Sequence, residues 1–288
     1  MHERHTRATA LGIGAVTYAA ACFALAVALL AALTIATSSP AAGMARGAAK
    51  PTVVLVHGAW ADSSAWAPVV ARLQHAGYTV DVFPTPLRGL LSDAAYLRAY
   101  LGTINGPIVL VGHSYGGAVV TNAATGNPQV KALVYVDAFA PAEGETVVQL
   151  ATAQPGSAIG GDPAGVFDAA PYPGAPAGDV DLYIKPRIFP EAFANDVSPA
   201  SAAVLAAEQR PVTLSALTTP SGTPAWKTIP SWDLVGTIDN VIPPAEQLFM
   251  ARRAGAYIVK VKASHLPMLS RPDAVTEVVL KAAIASVK

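Results

Sequence analysis

The chain has little cysteine and little charge. Cys22 is the only cysteine in the 288 residues, which excludes an intramolecular disulfide framework and leaves the rest of the chain without a thiol nucleophile. Charged residues make up 13% of the sequence, and 19 Lys and Arg balance 19 Asp and Glu. Because there is no basic stripe or acidic tail, we do not expect nucleic acid as a partner. Hydrophobic residues reach 52%, which excludes disorder and is enough for a large core.

Charge is absent altogether from residues 8–37. A polar, mostly basic segment precedes this apolar stretch, and small residues follow it up to Ala45. This order is typical of an export signal, so we predict a signal peptide at residues 1–45 and a secreted protein. The stretch is also long enough to cross a bilayer, so an uncleaved membrane anchor is the alternative. A third alternative is that translation starts at Met44, which would make the protein cytosolic.

From residue 51 onward, short apolar runs alternate with helical patterns. Strands are predicted at residues 53–56, 79–83, 108–111, 132–136, 232–235 and 256–261, and helices at 63–75, 93–101, 118–124, 245–253 and 272–285. Such alternation predicts an α/β fold with about six mostly parallel strands flanked by helices. In open sheets of this kind, ligands bind beyond the carboxyl ends of the strands.

Residues 141–230 interrupt the alternation and are rich in Pro, Gly and Ala. A loop of that length without its own structure is not expected in a compact domain. We therefore predict a mainly helical cap subdomain here, with helices around residues 190–195 and 200–209. The α/β core would then consist of residues 50–140 and 231–288. Apolar cap residues are expected either to line a pocket or to pack the cap onto the core.

The strongest motif is Gly112-His113-Ser114-Tyr115-Gly116, which lies between a predicted strand and a predicted helix. This G-x-S-x-G pattern in that context is typical of a nucleophile elbow. The turn is so tight that the serine adopts strained dihedrals, and side chains at the two outer glycines would collide with neighbouring elements. Ser114 is therefore predicted to be a catalytic nucleophile.

A serine hydroxyl needs a base with a pKa near working pH, which favours histidine. Of the six histidines, His265 follows the last predicted strand and so lies at the same rim as Ser114. We predict that His265 is the base and that His57 and His113 support the loops.

The third member of a triad is a carboxylate that orients the imidazole. Asp239 lies just past the fifth of the predicted strands, and the order Ser114, Asp239, His265 is the one expected in this kind of fold. Asp137, at the end of the fourth strand, is the alternative acid. If Asp239 is the acid, Asp137 would be a structural or pocket-rim carboxylate.

Acyl transfer also needs N–H donors for the developing oxyanion. We predict the backbone amide of Tyr115 as one donor. The other is expected from the loop after the first strand, where Ala59 is the first choice and Trp60 the alternative. This chemistry needs no metal ion and no organic cofactor.

Four motifs together resemble the α/β-hydrolase superfamily: residues 54–60, 112–117, 236–239 and 264–269. Within it they resemble the branch of plant methylesterases, hydroxynitrile lyases and related bacterial serine esterases. The hydroxynitrile lyases have a lysine after the catalytic histidine, whereas this chain has Leu266, so the resemblance implies ester hydrolysis. Ser114 also disfavours the dehalogenase and epoxide hydrolase branches, which use an aspartate nucleophile.

The sequence thus predicts an exported serine esterase that acts on small, mostly uncharged carboxylic esters. A lactone, thioester, amide or C–C bond as the substrate of the same triad is an alternative, because specificity depends on cap residues. A small-ligand binding protein on the same scaffold is another. The expected partner is a small-molecule ester, and contact with a membrane is expected only through an N-terminal anchor.

Overall fold

The computed structural model describes residues 49–287. The predicted signal peptide or anchor at residues 1–45 lies outside the described residues. Within residues 49–287, every helix is too short or too polar to cross a bilayer.

The described part of the chain contains two sheets. Its strands are β1 (Thr52–Val56), β2 (Val80–Phe83), β3 (Ile108–Ser114), β4 (Val130–Ala138), β5 (Phe167–Ala170), β6 (Asp181–Ile184), β7 (Val212–Thr213), β8 (Ser231–Gly236) and β9 (Tyr257–Val261). The central sheet has the order β2-β1-β3-β4-β8-β9, and all of its pairings are parallel. The predicted α/β fold with six parallel strands is therefore confirmed.

The central strands form where the sequence has uninterrupted apolar runs. Val53–Val56 and Ile108–Val111 are fully buried, as expected of parallel strands that are covered on both faces. The observed strand bounds differ from the predicted ones by up to three residues at an end; β3, for example, continues from Val111 through Ser114, whereas β2 and β9 each begin one residue later than predicted. Because the strands are parallel, the loops that follow them meet at one edge of the sheet.

Helices cover both faces of this sheet and fill much of the segment between β4 and β8. They are α1 (Ala67–His75), α2 (Leu90–Leu101), α3 (Tyr115–Ala123), α4 (Val147–Thr152), α5 (Pro163–Val166), α6 (Phe189–Phe193), α7 (Pro199–Glu208), α8 (Leu214–Thr218), α9 (Pro244–Arg253), α10 (Pro267–Ser270) and α11 (Pro272–Ala285). Short 3-10 turns at Ser63–Trp66 and Ala225–Lys227 complete the set.

Residues 141–230, called the cap segment below, contain α4 to α8 and a second, antiparallel sheet of β5, β6 and β7. The predicted helices around residues 190–195 and 200–209 are present as α6 and α7. The three-stranded sheet is a difference from the mainly helical prediction. Its strands are at most four residues long, and β5 has the sequence Phe-Asp-Ala-Ala, so they carry no recognisable strand pattern.

Candidate active site

Ser114 ends β3, and Tyr115 begins α3. The serine has φ 52° and ψ −124°, a strained conformation for a residue with a side chain. A Cβ at Gly112 would lie 2.7 Å from the carbonyl oxygen of Gly116, and one at Gly116 would lie 2.5 Å from that of Val56. Since both obstacles are backbone atoms, the tight strand-to-helix turn requires the two glycines of the motif.

Asp239 and His265 form a buried pair. Oδ2 of Asp239 lies 2.8 Å from Nδ1 of His265, and both side chains are 0% exposed. Because a carboxylate oxygen accepts hydrogen bonds, Nδ1 is the donor to Asp239, and Nε2 is the ring nitrogen that Asp239 leaves unengaged. Oδ1 of Asp239 accepts the backbone amides of Val241 at 2.7 Å and Ile242 at 3.1 Å, so both oxygens of the carboxylate are held.

Ser114 is not hydrogen bonded to this pair. Nε2 of His265 is buried and has no hydrogen-bond partner among residues 49–287. The link between elbow and histidine is His113, whose Nε2 donates to the backbone oxygen of His265 at 2.8 Å. The structure therefore brings Asp239 and His265 into contact and ties the neighbour of Ser114 to the histidine loop. Catalytic hydrogen bonds are often long without substrate and tighten when it binds.

His57 and His113 hold loops together. Nδ1 of His57 donates to the oxygen of Gly58 at 2.9 Å, and its Nε2 accepts the amide of Thr85 at 3.0 Å. Burial lowers the pKa of His57 to about 4. Burial, and then the neighbouring His265, lowers the pKa of His113 well below its ordinary value. Both imidazoles are therefore neutral at neutral pH.

Asp137, the alternative acid, makes no contact with the imidazole that would orient it. Its Oδ1 accepts the amide of Gly236, and its other oxygen has no hydrogen-bond partner among the described residues. The side chain is 0% exposed and does not line the cavity at Ser114, which favours the structural alternative over a pocket-rim carboxylate. Burial, and then repulsion from Asp239, raises the pKa of Asp137 well above its usual range, which favours the neutral acid.

Ser114 lines a cavity of about 410 Å³. The wall is almost entirely apolar and contains no charged side chain: Ala59, Trp60, Ser114, Tyr115, Phe139, Val147, Val148, Ala151, Thr152, Ile159, Gly160, Gly161, Pro163, Phe167, Ala169, Val180, Leu182, Leu214, Leu217 and Thr218. Core and cap segment both contribute to it. Within residues 49–287, no His, Cys, Asp and Glu side chains cluster so as to hold a metal ion.

The predicted oxyanion donors border the same cavity. Tyr115 is the first residue of α3, where a backbone amide has no partner within the helix. A Cβ at Gly58 would lie 2.6 Å from Cβ of Ser114, so the loop that carries Ala59 passes directly against the serine. The neighbouring Trp60 has φ 55° and donates from Nε1 to the oxygen of Leu182 at 2.9 Å, which anchors this loop to β6.

The sequence singled out neither Gln247 nor Asp196, and it placed Phe193 only among the apolar cap residues. Gln247 donates from Nε2 to Oδ2 of Asp239 at 2.7 Å. Asp196 accepts hydrogen bonds from the amide and the hydroxyl of Ser264, and the Phe193 ring packs edge-on against His265 with centroids 4.6 Å apart. For Gln247, the only feature of the sequence that could have indicated a contact with Asp239 is the predicted helix that starts soon after Asp239. No motif marks the other two, because they belong to the cap segment.

Comparison with known proteins gives matches along most of the chain. A carbendazim hydrolyzing esterase of Nocardioides sp. (strain SG-4G) is 38% identical over 111 residues, which are 34% of this chain and 46% of that esterase. The alpha/beta hydrolase nvfD of Aspergillus novofumigatus (strain IBT 16806) is 26% identical over 260 residues, covering 81% of this chain and 97% of nvfD.

Among solved structures, polyneuridine aldehyde esterase superposes with a TM-score of 0.68 at 18% identity, covering 81% of this chain and 99% of that one. At this identity the likeness supports the fold. The sequence profile of the alpha/beta hydrolase family matches residues 53–278, well over half of the chain, so the chain belongs to the alpha/beta hydrolase family, as its motifs predict.

Proposed function

We propose that this protein is a serine esterase that cleaves small, mostly uncharged carboxylic esters through an acyl-enzyme. The observation that carries the proposal is the buried pair of Asp239 and His265, which His113 ties to the turn that holds the strained Ser114. The esterase name of the Nocardioides relative supports the same reaction class.

In the first half of the proposed reaction, Ser114 attacks the ester carbonyl. Nε2 of His265 has no hydrogen-bond partner among the described residues. It takes the hydroxyl proton of Ser114 as Oγ bonds to the carbonyl carbon. Asp239 keeps the proton on Nδ1 and stabilises the imidazolium that forms. The amides of Tyr115 and Ala59 then donate to the oxyanion of the tetrahedral intermediate.

In the second half, the imidazolium protonates the departing alcohol and an acyl-enzyme remains on Ser114. A water molecule then gives a proton to Nε2 of His265 and attacks the acyl carbon. Collapse of that intermediate releases the carboxylic acid and returns the proton to Oγ of Ser114. The protons balance without any further acid or base.

The cavity supports an uncharged substrate. Its wall carries no Asp, Glu, Lys, Arg or His side chain, so a charged substituent bound there would lose its hydration without gaining an ion pair. Four residues of the wall have a hydroxyl group: Ser114, Tyr115, Thr152 and Thr218. An ester with an apolar acyl or alcohol group fits this surface best.

Labelling with a serine-directed phosphonate tests the assignment of Ser114. The wild type is expected to gain the mass of one adduct, and Ser114→Ala to gain none. His265→Ala is expected to label at least about a hundredfold more slowly, because the hydroxyl then lacks its base. Ser92→Ala, which removes an exposed hydroxyl on α2, is the matched control and should label like the wild type. Equal labelling of wild type and Ser114→Ala would contradict the proposal.

Turnover distinguishes an esterase from a binding protein on the same scaffold. Hydrolysis of p-nitrophenyl butyrate that disappears in Ser114→Ala supports the enzyme. Faster turnover of a thioester, amide or lactone of matched size than of the ester would contradict the ester assignment.

We further infer that the protein is exported, on the basis of the uncharged stretch at residues 8–37 and the small residues that follow it. N-terminal sequencing of protein from the culture medium should find a start close to residue 46. Protein that stays with the membrane and retains residues 1–45 would indicate the anchor, and cytosolic protein that starts at Met44 would contradict export.

A further inference from the structure

The carboxylate of Asp239 accepts four hydrogen bonds, and one of the donors is the side chain of Gln247, which belongs to none of the four sequence motifs. Its Oδ1 accepts two backbone amides. Its Oδ2 accepts Nδ1 of His265 at 2.8 Å and Nε2 of Gln247 at 2.7 Å. Gln247 is 0% exposed and lies in the first turn of α9. The same oxygen therefore joins the imidazole to a buried amide side chain.

The orientation of the Gln247 amide follows from its neighbours. Nε2 donates one proton to Oδ2 of Asp239 and the other to the oxygen of Ile242 at 2.9 Å. A flipped amide would place Oε1 against two acceptor oxygens, which is repulsive. Both donors of the amide are used, so Gln247 clamps the carboxylate to the loop that follows it.

The clamp restrains the oxygen that the histidine uses. The two backbone amides hold only Oδ1, so without Gln247 the only donor left on Oδ2 is His265 itself. Rotation of the carboxylate would then tilt the imidazole and move Nε2 away from the serine. An error of about 1 Å in such an arrangement can cost about a hundredfold in rate.

We propose that Gln247 is a positioning residue, whose amide holds Oδ2 of Asp239 in the place where it accepts Nδ1–H of His265. Gln247 does not border the substrate cavity, so it acts through Asp239. The inference rests on the proposed esterase function, and its test includes a measurement that does not require turnover.

Gln247→Met removes both donors while nearly keeping the side-chain volume. We expect kcat for p-nitrophenyl butyrate to fall about ten- to a hundredfold, with KM within about twofold because the cavity wall is unchanged. Gln129→Met is the matched control. Gln129 donates to the oxygen of Ile104 at 2.8 Å just before β4, at the other end of the strands, so its loss should leave kcat unchanged.

Gln247→Glu separates positioning from a purely structural role. The new carboxyl group can donate to Asp239 while it is protonated, whereas it repels Asp239 once it is ionised. The titratable groups around Gln247 are Asp239, to which it donates, His265, which donates to the same oxygen, and their neighbours. Those neighbours are His113, Asp137, Asp233, Glu246 on the same helix and Asp196, which binds Ser264. For the wild type, kcat should reach a plateau at higher pH. For Gln247→Glu, kcat should fall again at higher pH, while the melting temperature shows that the fold persists.

Proton NMR can detect the hydrogen bond between His265 and Asp239 without any measurement of turnover. The wild type should show one exchange-protected, downfield proton from Nδ1 of His265, which Asp239→Asn removes. Gln247→Met should shift or broaden this resonance.

If the wild type is inactive on esters but the resonance responds to Gln247→Met, the proposed function fails and the positioning role stands. If the wild type is active and Gln247→Met changes neither kcat nor the resonance, the positioning role is overturned and the esterase stands. The positioning role is also overturned if the fall in kcat of Gln247→Met is no larger than its loss of folded protein and the resonance is unchanged.

Discussion

Several ionisable side chains near Ser114 are buried, and they differ in how many hydrogen-bond partners they have. Burial drives the imidazoles of His57 and His113 and the carboxyl of Asp137 toward their neutral forms. Asp239 is also buried, but four donors reach its two oxygens. These hydrogen bonds offset the hydration that a buried carboxylate loses. Asp239 therefore has hydrogen bonds on both of its oxygens, one of them from His265.

At this scale the acid stability of the protein should depend on His57. Its pKa of about 4 in the folded protein lies below the value of about 6.5 in the unfolded chain. The unfolded state therefore binds more protons between these two values, and stability falls as pH drops through that window. We expect His57 to contribute a loss of about 2 kcal/mol in the free energy of unfolding between about pH 7 and about pH 4.5.

Urea denaturation of the wild type and His57→Gln at both pH values measures that contribution. The glutamine has no proton to gain, and its oxygen can still accept the amide of Thr85. The difference in stability between the two proteins should shift by about 2 kcal/mol in favour of the variant at the lower pH. His75→Gln, at the exposed end of α1, controls for the loss of one imidazole. Parallel pH curves for wild type and His57→Gln would show that His57 is not the responsible group.

At the scale of elements, α3 lies unusually close to the sheet. Gly116 faces the carbonyl oxygens of Val56 and His57, and Gly117 faces that of Phe139. The close approach brings the amino end of α3, and with it the amide of Tyr115, to the edge of the sheet. Only glycine allows this packing, because the atoms in the way belong to the backbone of β1 and of the chain after β4.

Gly116→Ala should therefore disturb both stability and the elbow. The new methyl group would lie 2.5 Å from one carbonyl oxygen and 2.7 Å from another, so α3 must move. We expect a loss of about 2 kcal/mol or more in the free energy of unfolding, measured by urea denaturation, and slower labelling of Ser114. Gly165→Ala is the control, because a Cβ there meets nothing within 4 Å. A variant at position 116 with wild-type stability and labelling would show that the helix tolerates a shift.

The core elements could be predicted because each has its own local signal. Val53–Val56 and Ile108–Val111 are apolar runs typical of a strand buried on both faces, and the glycines around Ser114 mark the turn. The cap sheet has no such signal, since β7 is two residues long and forms only by pairing with β6. Gln247 is similar: nothing local distinguishes it from a core-packing glutamine until the turn after Asp239 brings the two side chains together.

At the scale of the whole described unit, the cap segment touches the loop after β1 and the loops that carry Asp239 and His265. Trp60, beside the elbow, donates to the oxygen of Leu182 in β6. Asn195 donates to the oxygen of Ile238, next to Asp239, and Asp196 binds Ser264, next to His265. A substitution in the cap segment is therefore expected to affect the site in two ways. It can shift the loops that carry the site residues, and it can change the cavity wall.

The cavity itself should set substrate size, because its far wall belongs to the cap segment. Leu217 of α8 is 5% exposed and lines the cavity that Ser114 borders. Leu217→Trp should lower kcat/KM for an ester with a bulky apolar acyl group by about tenfold or more. An acetate ester of the same alcohol needs little of the cavity and should change by less than about twofold. Leu91→Trp, an enlargement at a 52% exposed position on α2, should leave both esters unchanged. Equal losses on both esters, in a variant with an unchanged melting temperature, would show that the acyl group does not occupy this cavity.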